Sequence, residues 1–231
     1  VAAGAVAIKI LKEMGISFNT FTKAIGEIEI SDEEVKLDEV FDNKLYMPNA
    51  AKAKEAEEFL DKLISEGDSV GGIIECRVNG MKTGIGEPVF DKLDANIAKG
   101  VMSIGAVKAV EIGKGVDVSK ITGSENNDNF RNKDDVITKI SNNAGGILGG
   151  ISDGSEIVVR ASVKPTPSIY TAQNTVNNKG ENIEINIKGR HDPVVVPRAV
   201  VVVESMIALT ILDMMLLGIG SKIDNLKKIY G

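Results

Sequence analysis

The stretch Val194–Gly220 constrains this chain more than any other, because it is dense in valine, isoleucine, leucine and methionine. So much apolar surface has to leave water, either in a bilayer or in a protein core. Arg198, Glu204 and Asp213 interrupt it, and charges are costly at a bilayer centre. The segment therefore reads as a buried strand-to-helix element, with a long apolar helix over Arg198–Leu217. A soluble protein without membrane contact is the expectation. The rest of the chain has the material to surround such an element: 231 residues, 43% hydrophobic and 26% charged. That composition excludes global disorder, a collagen-like chain and a coiled coil. At roughly 100–200 residues per domain the length allows one large domain or two small ones, and residues 1–231 are read as one.

Charge and the scarce side chains exclude more. With 27 Lys+Arg against 33 Asp+Glu the net charge is -6, and no basic stripe points to nucleic acid. Cys76 is the single cysteine, so no intramolecular disulfide framework or cysteine-based zinc site can form, and a cytoplasmic location is the simplest. His191 is the single histidine, which removes any metal site needing two; no metal is expected. The first residues lack the charged start and apolar run of a signal peptide.

Periodicity sketches the elements. Val6, Ile10 and Met14 recur every four residues beside Ala3, Ala7 and Leu11, and Gly15 stops this helix. The sequence opens on Val1 rather than Met and that helix has no polar N-cap, so chain upstream is expected. Ile16–Ile30 reads as one long or two short strands. Ala50–Glu66 is an amphipathic helix with a stripe of Ala53, Ala56, Phe59, Leu60, Leu63 and Ile64. Val70–Val78 is a half-buried strand with Cys76 inward. A helix begins near Pro88, burying Phe90, Leu93, Ile97 and Val101, with Glu87 and Asp91 near its positive end. Val107–Ile112, Glu156–Lys164 and Ile183–Lys188 are strands, and Gly123–Lys133 is a mobile surface loop. Hairpin-like strand runs separated by helices indicate an α+β fold, with antiparallel sheets packed with helices.

Three segments could carry chemistry. Asn142–Gly154 (NNAGGILGGISDG) packs glycines closely enough for backbone N–H groups to approach an anion or a flat ring. It matches neither standard nucleotide fingerprint, and a close-packed turn is an equal alternative. In Glu156–Lys164, Arg160 and Lys164 share a face, and Lys164-Pro165-Thr166-Pro167-Ser168 adds two hydroxyls on a stiff loop, a combination able to hold a phosphate. A solvated edge strand is the plainer alternative. Gly189-Arg190-His191-Asp192-Pro193 concentrates a guanidinium, a carboxylate and the histidine, where a simple Arg–Asp turn is the bland reading.

Together, AGGILGGISDG (Ala144–Gly154), KPTPS (Lys164–Ser168) and GRHDPVVVPRA (Gly189–Ala199) resemble the C-terminal two-thirds of chorismate synthase. GIGEPVFDKLDANIA (Gly84–Ala98), SIGAVKAVEIG (Ser103–Gly113) and GSENND (Gly123–Asp128) match in the same order. The resemblance implies a β-α-β sandwich and a lyase of the shikimate pathway, on the route to aromatic amino acids. Its reaction converts 5-enolpyruvylshikimate 3-phosphate to chorismate and phosphate by 1,4-anti elimination. It requires reduced FMN although it is redox-neutral overall, and leaves open whether NADPH supplies the flavin's electrons. A homotetramer is typical. Carried over, Gly105, Ala106, Gly149, Lys164, Pro165, Thr166, Pro167, Ser168 and Arg190 would approach the flavin, and Asp192 would be the catalytic carboxylate beside it.

The chain departs from the family pattern in places. The family often has histidine at Asn126 and Asn143, and serine at Pro167. Its N-terminal third, with a His-Gly-Glu-Ser-type motif and two essential histidines, has no counterpart here. The expectation is a flavin-facing C-terminal portion, incomplete at its N-terminus and inactive on its own. Two other classes compete with it: a non-catalytic flavin- or anion-binding module, and a structural fragment that oligomerises through Val194–Leu217.

Overall fold

The computed structural model describes residues 1–133, 135–189 and 191–231. The chain runs α1 (Ala2–Glu13), β1 (Ser17–Ile25), β2 (Ile28–Glu29), α2 (Ala50–Glu66), β3 (Gly72–Asn79), α3 (Leu93–Met102) and β4 (Val107–Ile112). It continues through α4 (Gly123–Asn126), β5 (Phe130–Lys133), β6 (Val136–Lys139), β7 (Ile147–Leu148), β8 (Ile151–Ser152) and β9 (Ile157–Val163). β10 (Gln173–Val176), β11 (Asn182–Ile185), α5 (Val196–Gly218) and α6 (Ile223–Tyr230) complete it.

The centre is a five-stranded sheet in the order β2-β1-β3-β9-β4, with every pairing antiparallel. Alternation decides its two faces. Ile74, Cys76 and Val78 of β3 and Ile157, Val159, Ala161 and Val163 of β9 turn toward the helices and are buried. α5 covers that face with Val196, Val200, Val203, Ile207 and Ile211, and burying each such side chain is worth about 1.5–3 kcal/mol. α1 lies against α5 so closely that a Cβ at Gly4 would stand 2.3 Å from Ser205 Cβ. α5 with its following turn, Val196–Ser221, is long and apolar enough to cross a membrane by length and composition. Here its buried side serves the sheet.

The opposite face carries charge rather than helices. Glu75, fully buried, accepts from Arg77 Nε at 2.6 Å and from Arg160 Nε at 2.7 Å. Asp32 extends the chain of pairs to Arg77 at 3.0 Å and Lys23 at 2.9 Å. Burial of Asp32 works against its ionisation, but Lys23 and the two guanidiniums outweigh that and hold its pKa below the ordinary value.

Several expectations from the sequence need correction. In α1 the buried stripe is Gly4, Ala7 and Leu11, while Val6, Ile10 and Met14 face outward. The helix expected from Pro88 starts only at Leu93, whose N–H donates to the Gly150 carbonyl at 2.8 Å. Phe90 is accordingly exposed, in a left-handed conformation, and Asp94 rather than Glu87 or Asp91 sits in the first turn. Gly123–Lys133 is not a bare loop. A Thr122–Glu125 capping box opens α4, and Phe130–Lys133 pairs with β6. The strand expected over Ile183–Lys188 is the shorter β11, paired with β10 in an arm that leaves Ile183 and Ile185 exposed. In α2, Ile64 also faces solvent.

Candidate active site

The segment Gly67–Gly71 is the seam on which the candidate residues meet. Val70 donates to the Pro193 carbonyl at 2.9 Å and bridges Val194 in parallel. On its other side Ser69 Oγ donates to the Thr166 carbonyl at 2.7 Å. Gly71 has to be glycine at this crossing, because a Cβ would stand 2.3 Å from the Val163 carbonyl oxygen and 3.2 Å from Pro165. The Lys164–Ser168 loop and the His191–Val194 stretch are thus held on one short linker, and Ser168, His191 and Asp192 line one cavity of about 40 Å3.

Gly105 and Ala106 join this cluster from the end of α3. The Lys164 N–H donates to the Ala106 carbonyl at 2.9 Å. Ala106 adopts φ 73 there, a left-handed conformation costing a non-glycine residue roughly 1–2 kcal/mol. Such strain is concentrated at functional sites. A Cβ at Gly105 would meet nothing within 4 Å, so this corner is open to a flat group. Lys164 is exposed and makes no ion pair with any described residue. Pro165 and Pro167 are exposed beside it, and Thr166 Oγ1 is buried without a hydrogen-bond partner.

Asp192 pairs through Oδ2 with Arg198 Nη1 at 2.9 Å. From the sequence Arg198 stands out only as a charge interrupting the apolar segment, although its position in the first turn of that helix, six residues after Asp192, is the signal that points to a site role. Arg198 also borders a cleft of about 550 Å3 with Lys44, Phe41, Tyr46, Val201 and Glu204, floored by Thr20. Burial pushes the Glu204 carboxyl above its ordinary pKa. Thr20 Oγ1 is buried there and unpartnered.

Other expected site residues lie elsewhere. Gly149 and Gly150, at φ 61 and 89, form the two-residue turn of the β7–β8 hairpin. That hairpin adjoins the N-terminus of α3, whereas Gly105 follows its C-terminus, about 15 Å away along ten residues of helix. Gly145 and Gly146 serve backbone packing, since a Cβ would fall 2.3 Å from Gly113 N and 2.5 Å from the Glu156 carbonyl oxygen respectively. Arg160, considered with Lys164 as a phosphate clamp, is committed to Glu75 and to the Gly113 carbonyl at 2.8 Å. Arg190 lies outside the described residues.

These features define a class: antiparallel α+β domains that gather a cation, hydroxyls and a carboxylate at one end of a helix-backed sheet. Comparison with known proteins gives the family. The chorismate synthase family model matches residues 1–216, and the chain belongs to that family. It is 54% identical over 230 residues to the chorismate synthase of Lachnospira eligens, matching 100% of this chain and 63% of that protein. The chorismate synthase of Methanosarcina barkeri is 49% identical over 221 residues, 94% of this chain and 60% of that protein. A crystal structure of chorismate synthase superimposes with a TM-score of 0.79 at 30% identity, covering 98% of this chain and 65% of that one. The chain therefore spans less than two thirds of the length of these relatives.

Proposed function

We propose that this chain is the flavin-facing part of a chorismate synthase, a lyase that forms chorismate and phosphate from 5-enolpyruvylshikimate 3-phosphate. The observation that carries the reading is the meeting of Lys164–Ser168, Gly105–Ala106 and Asp192 in a chain matched by that family over residues 1–216. The cluster fits FMN. A cation and a buried hydroxyl that have no partner among the described residues suit its anionic and polar edges, and the open space at Gly105 admits a flat ring. Reduced FMN, when bound, supplies electron density transiently while phosphate leaves.

The protein's own groups have separate tasks. Lys164 with the Thr166 and Ser168 hydroxyls holds the cofactor, and Ala106 and Gly105 shape its flat approach. Asp192, held by Arg198, receives or steadies the proton that the elimination releases. The cleft beside Arg198 takes the substrate's ring against Val201 and Tyr46, with Lys44 and Arg198 meeting its carboxylates and phosphate. Gly149 stands at the other end of α3 and serves any flavin contact from there. A cytoplasmic homotetramer completes the reading, and the 231 residues by themselves bind flavin without normal turnover.

Titration of the chain with reduced FMN under anaerobic conditions, read by flavin fluorescence, tests the cofactor site. Lys164→Ala is expected to weaken binding at least tenfold. In protein of the relatives' full length, Asp192→Ala is expected to cut anaerobic turnover far more than FMN affinity. Flavin binding without turnover in that full-length protein would favour a non-catalytic module instead.

A further inference from the structure

The mechanism above leaves the His191 ring unused, yet the fold holds it firmly. It packs edge to face with Tyr170, ring centroids 5.5 Å apart, and the Tyr170 hydroxyl donates to the Gly189 carbonyl. Tyr170 is itself tied to Gly67, donating to that carbonyl at 3.0 Å. The ring lines the cavity of about 40 Å3 together with Asp68, Ser69, Ser168 and Asp192. His191 Nε2 is buried and has no hydrogen-bond partner among the described residues. An unsatisfied buried nitrogen is costly, and the cavity explains why it is tolerated. A water needs roughly 10–15 Å3 and two to four polar partners; this cavity of about 40 Å3 offers more than that volume, the Asp192 carboxylate, the Ser168 hydroxyl and the imidazole, while the Ser69 hydroxyl is engaged with the Thr166 carbonyl and Asp68 with the Ser69 N–H. Arg198 occupies Asp192 Oδ2, and no described residue bonds Oδ1.

We propose that one water in this cavity donates to both the Asp192 carboxylate and His191 Nε2, accepting from the Ser168 hydroxyl, and makes His191 the group through which Asp192 gives up its proton. In the transfer the carboxyl O–H bond breaks as its proton passes to the water, and a water proton forms the Nε2–H bond. The water is regenerated, and the net change is one proton moved from Asp192 to His191. Among the described residues, the charged groups around the ring are Asp68 on the linker, Asp192 beside it and Arg198 behind Asp192. The role of Asp192 in turnover rests on the function proposed above; the water bridge does not.

Because His191 is the single histidine in the sequence, one imidazole spin system reports on it without assignment. Long-range proton–nitrogen spectra of the 15N-histidine-labelled chain are expected to show the neutral ring mainly as the Nδ1–H tautomer, since Nε2 accepts from the water. That is the reverse of the free histidine side chain, whose neutral ring favours Nε2–H. Asp192→Ala is expected to return the ring to the ordinary Nε2–H preference. A wild-type ring that is mainly Nε2–H, or an Nδ1–H preference that survives Asp192→Ala, overturns the bridge, and the wild-type spectrum decides even if the variant does not fold. In full-length protein His191→Gln is expected to lower kcat about tenfold with KM and FMN affinity unchanged, and an unchanged kcat overturns the relay. Failure of FMN binding would sink the proposed function while leaving the tautomer measurement intact.

Discussion

Glu75 is where the fold is most exposed to a single substitution. Its carboxylate is fully buried between two guanidiniums, at 2.6 Å from Arg77 Nε and 2.7 Å from Arg160 Nε. Glu75→Ala leaves both cations without their shared partner, and breaking a buried pair from one side costs about 3–5 kcal/mol. The low end applies here. Arg77 and Arg160 side chains are 19% and 20% exposed, and each keeps another acceptor, Asp32 for Arg77 and the Gly113 carbonyl for Arg160. The expectation is about 3 kcal/mol, or roughly 6–12 °C in Tm for a chain of this size. Thermal and urea unfolding measure it. Arg160→Ala combined with Glu75→Ala should cost clearly less than the sum of the single changes, because the pair is shared. A Glu75→Ala loss under about 1 kcal/mol, or strict additivity in the double variant, would refute the claim that this carboxylate ties β3 to β9.

Two neighbouring glycines separate conformation from packing. Gly149→Ala meets an open left-handed position and should cost about 1 kcal/mol; Gly150→Ala places a Cβ 2.6 Å from the Glu87 carbonyl oxygen and should cost roughly 1–3 kcal/mol more. Equal losses in urea unfolding would show that the hairpin turn is not packed on the start of α3. Burial raises the Glu204 pKa above 4.5, so the folded state holds that proton more tightly than the unfolded state does. Stability is therefore lost as pH rises from the unfolded pKa through the folded one, and stays lost above it. Glu204→Gln should stabilise the chain at pH 7.5 and change little at pH 4, and an equal shift at both would remove the burial argument.

What was legible in the sequence was whatever depends on neighbours along the chain. The α2 boundaries at Ala50 and Glu66 follow from Asn49, whose side chain accepts from the Lys52 N–H, and from the left-handed Gly67. The apolar density of Val194–Gly220 was enough to place α5. What failed depends on contacts that periodicity does not encode. Val6-Ile10-Met14 and Ala3-Ala7-Leu11 are two adjacent apolar stripes on α1, and the close approach of Gly4 to Ser205 goes with burial of the side that holds Ala7 and Leu11. Pro88 is a reasonable helix start locally, but the N–H of Leu93 finds its acceptor on Gly150, a residue far away in sequence. The candidate site divides in the same way. Lys164, Ala106 and Asp192 were nameable from motifs, whereas the linker Gly67–Gly71 that joins the Lys164–Ser168 loop to the Asp192 stretch carries no chemistry of its own and shows its importance only as a crossing point. The same physics makes glycine-rich Ala144–Gly154 ambiguous from sequence. A glycine needed for a backbone crossing and one needed for a ligand have the same letter, and only the atoms that a Cβ would strike distinguish them: backbone at Gly145 and Gly146, the Lys92 side chain and the Glu87 carbonyl at Gly150, empty space at Gly149.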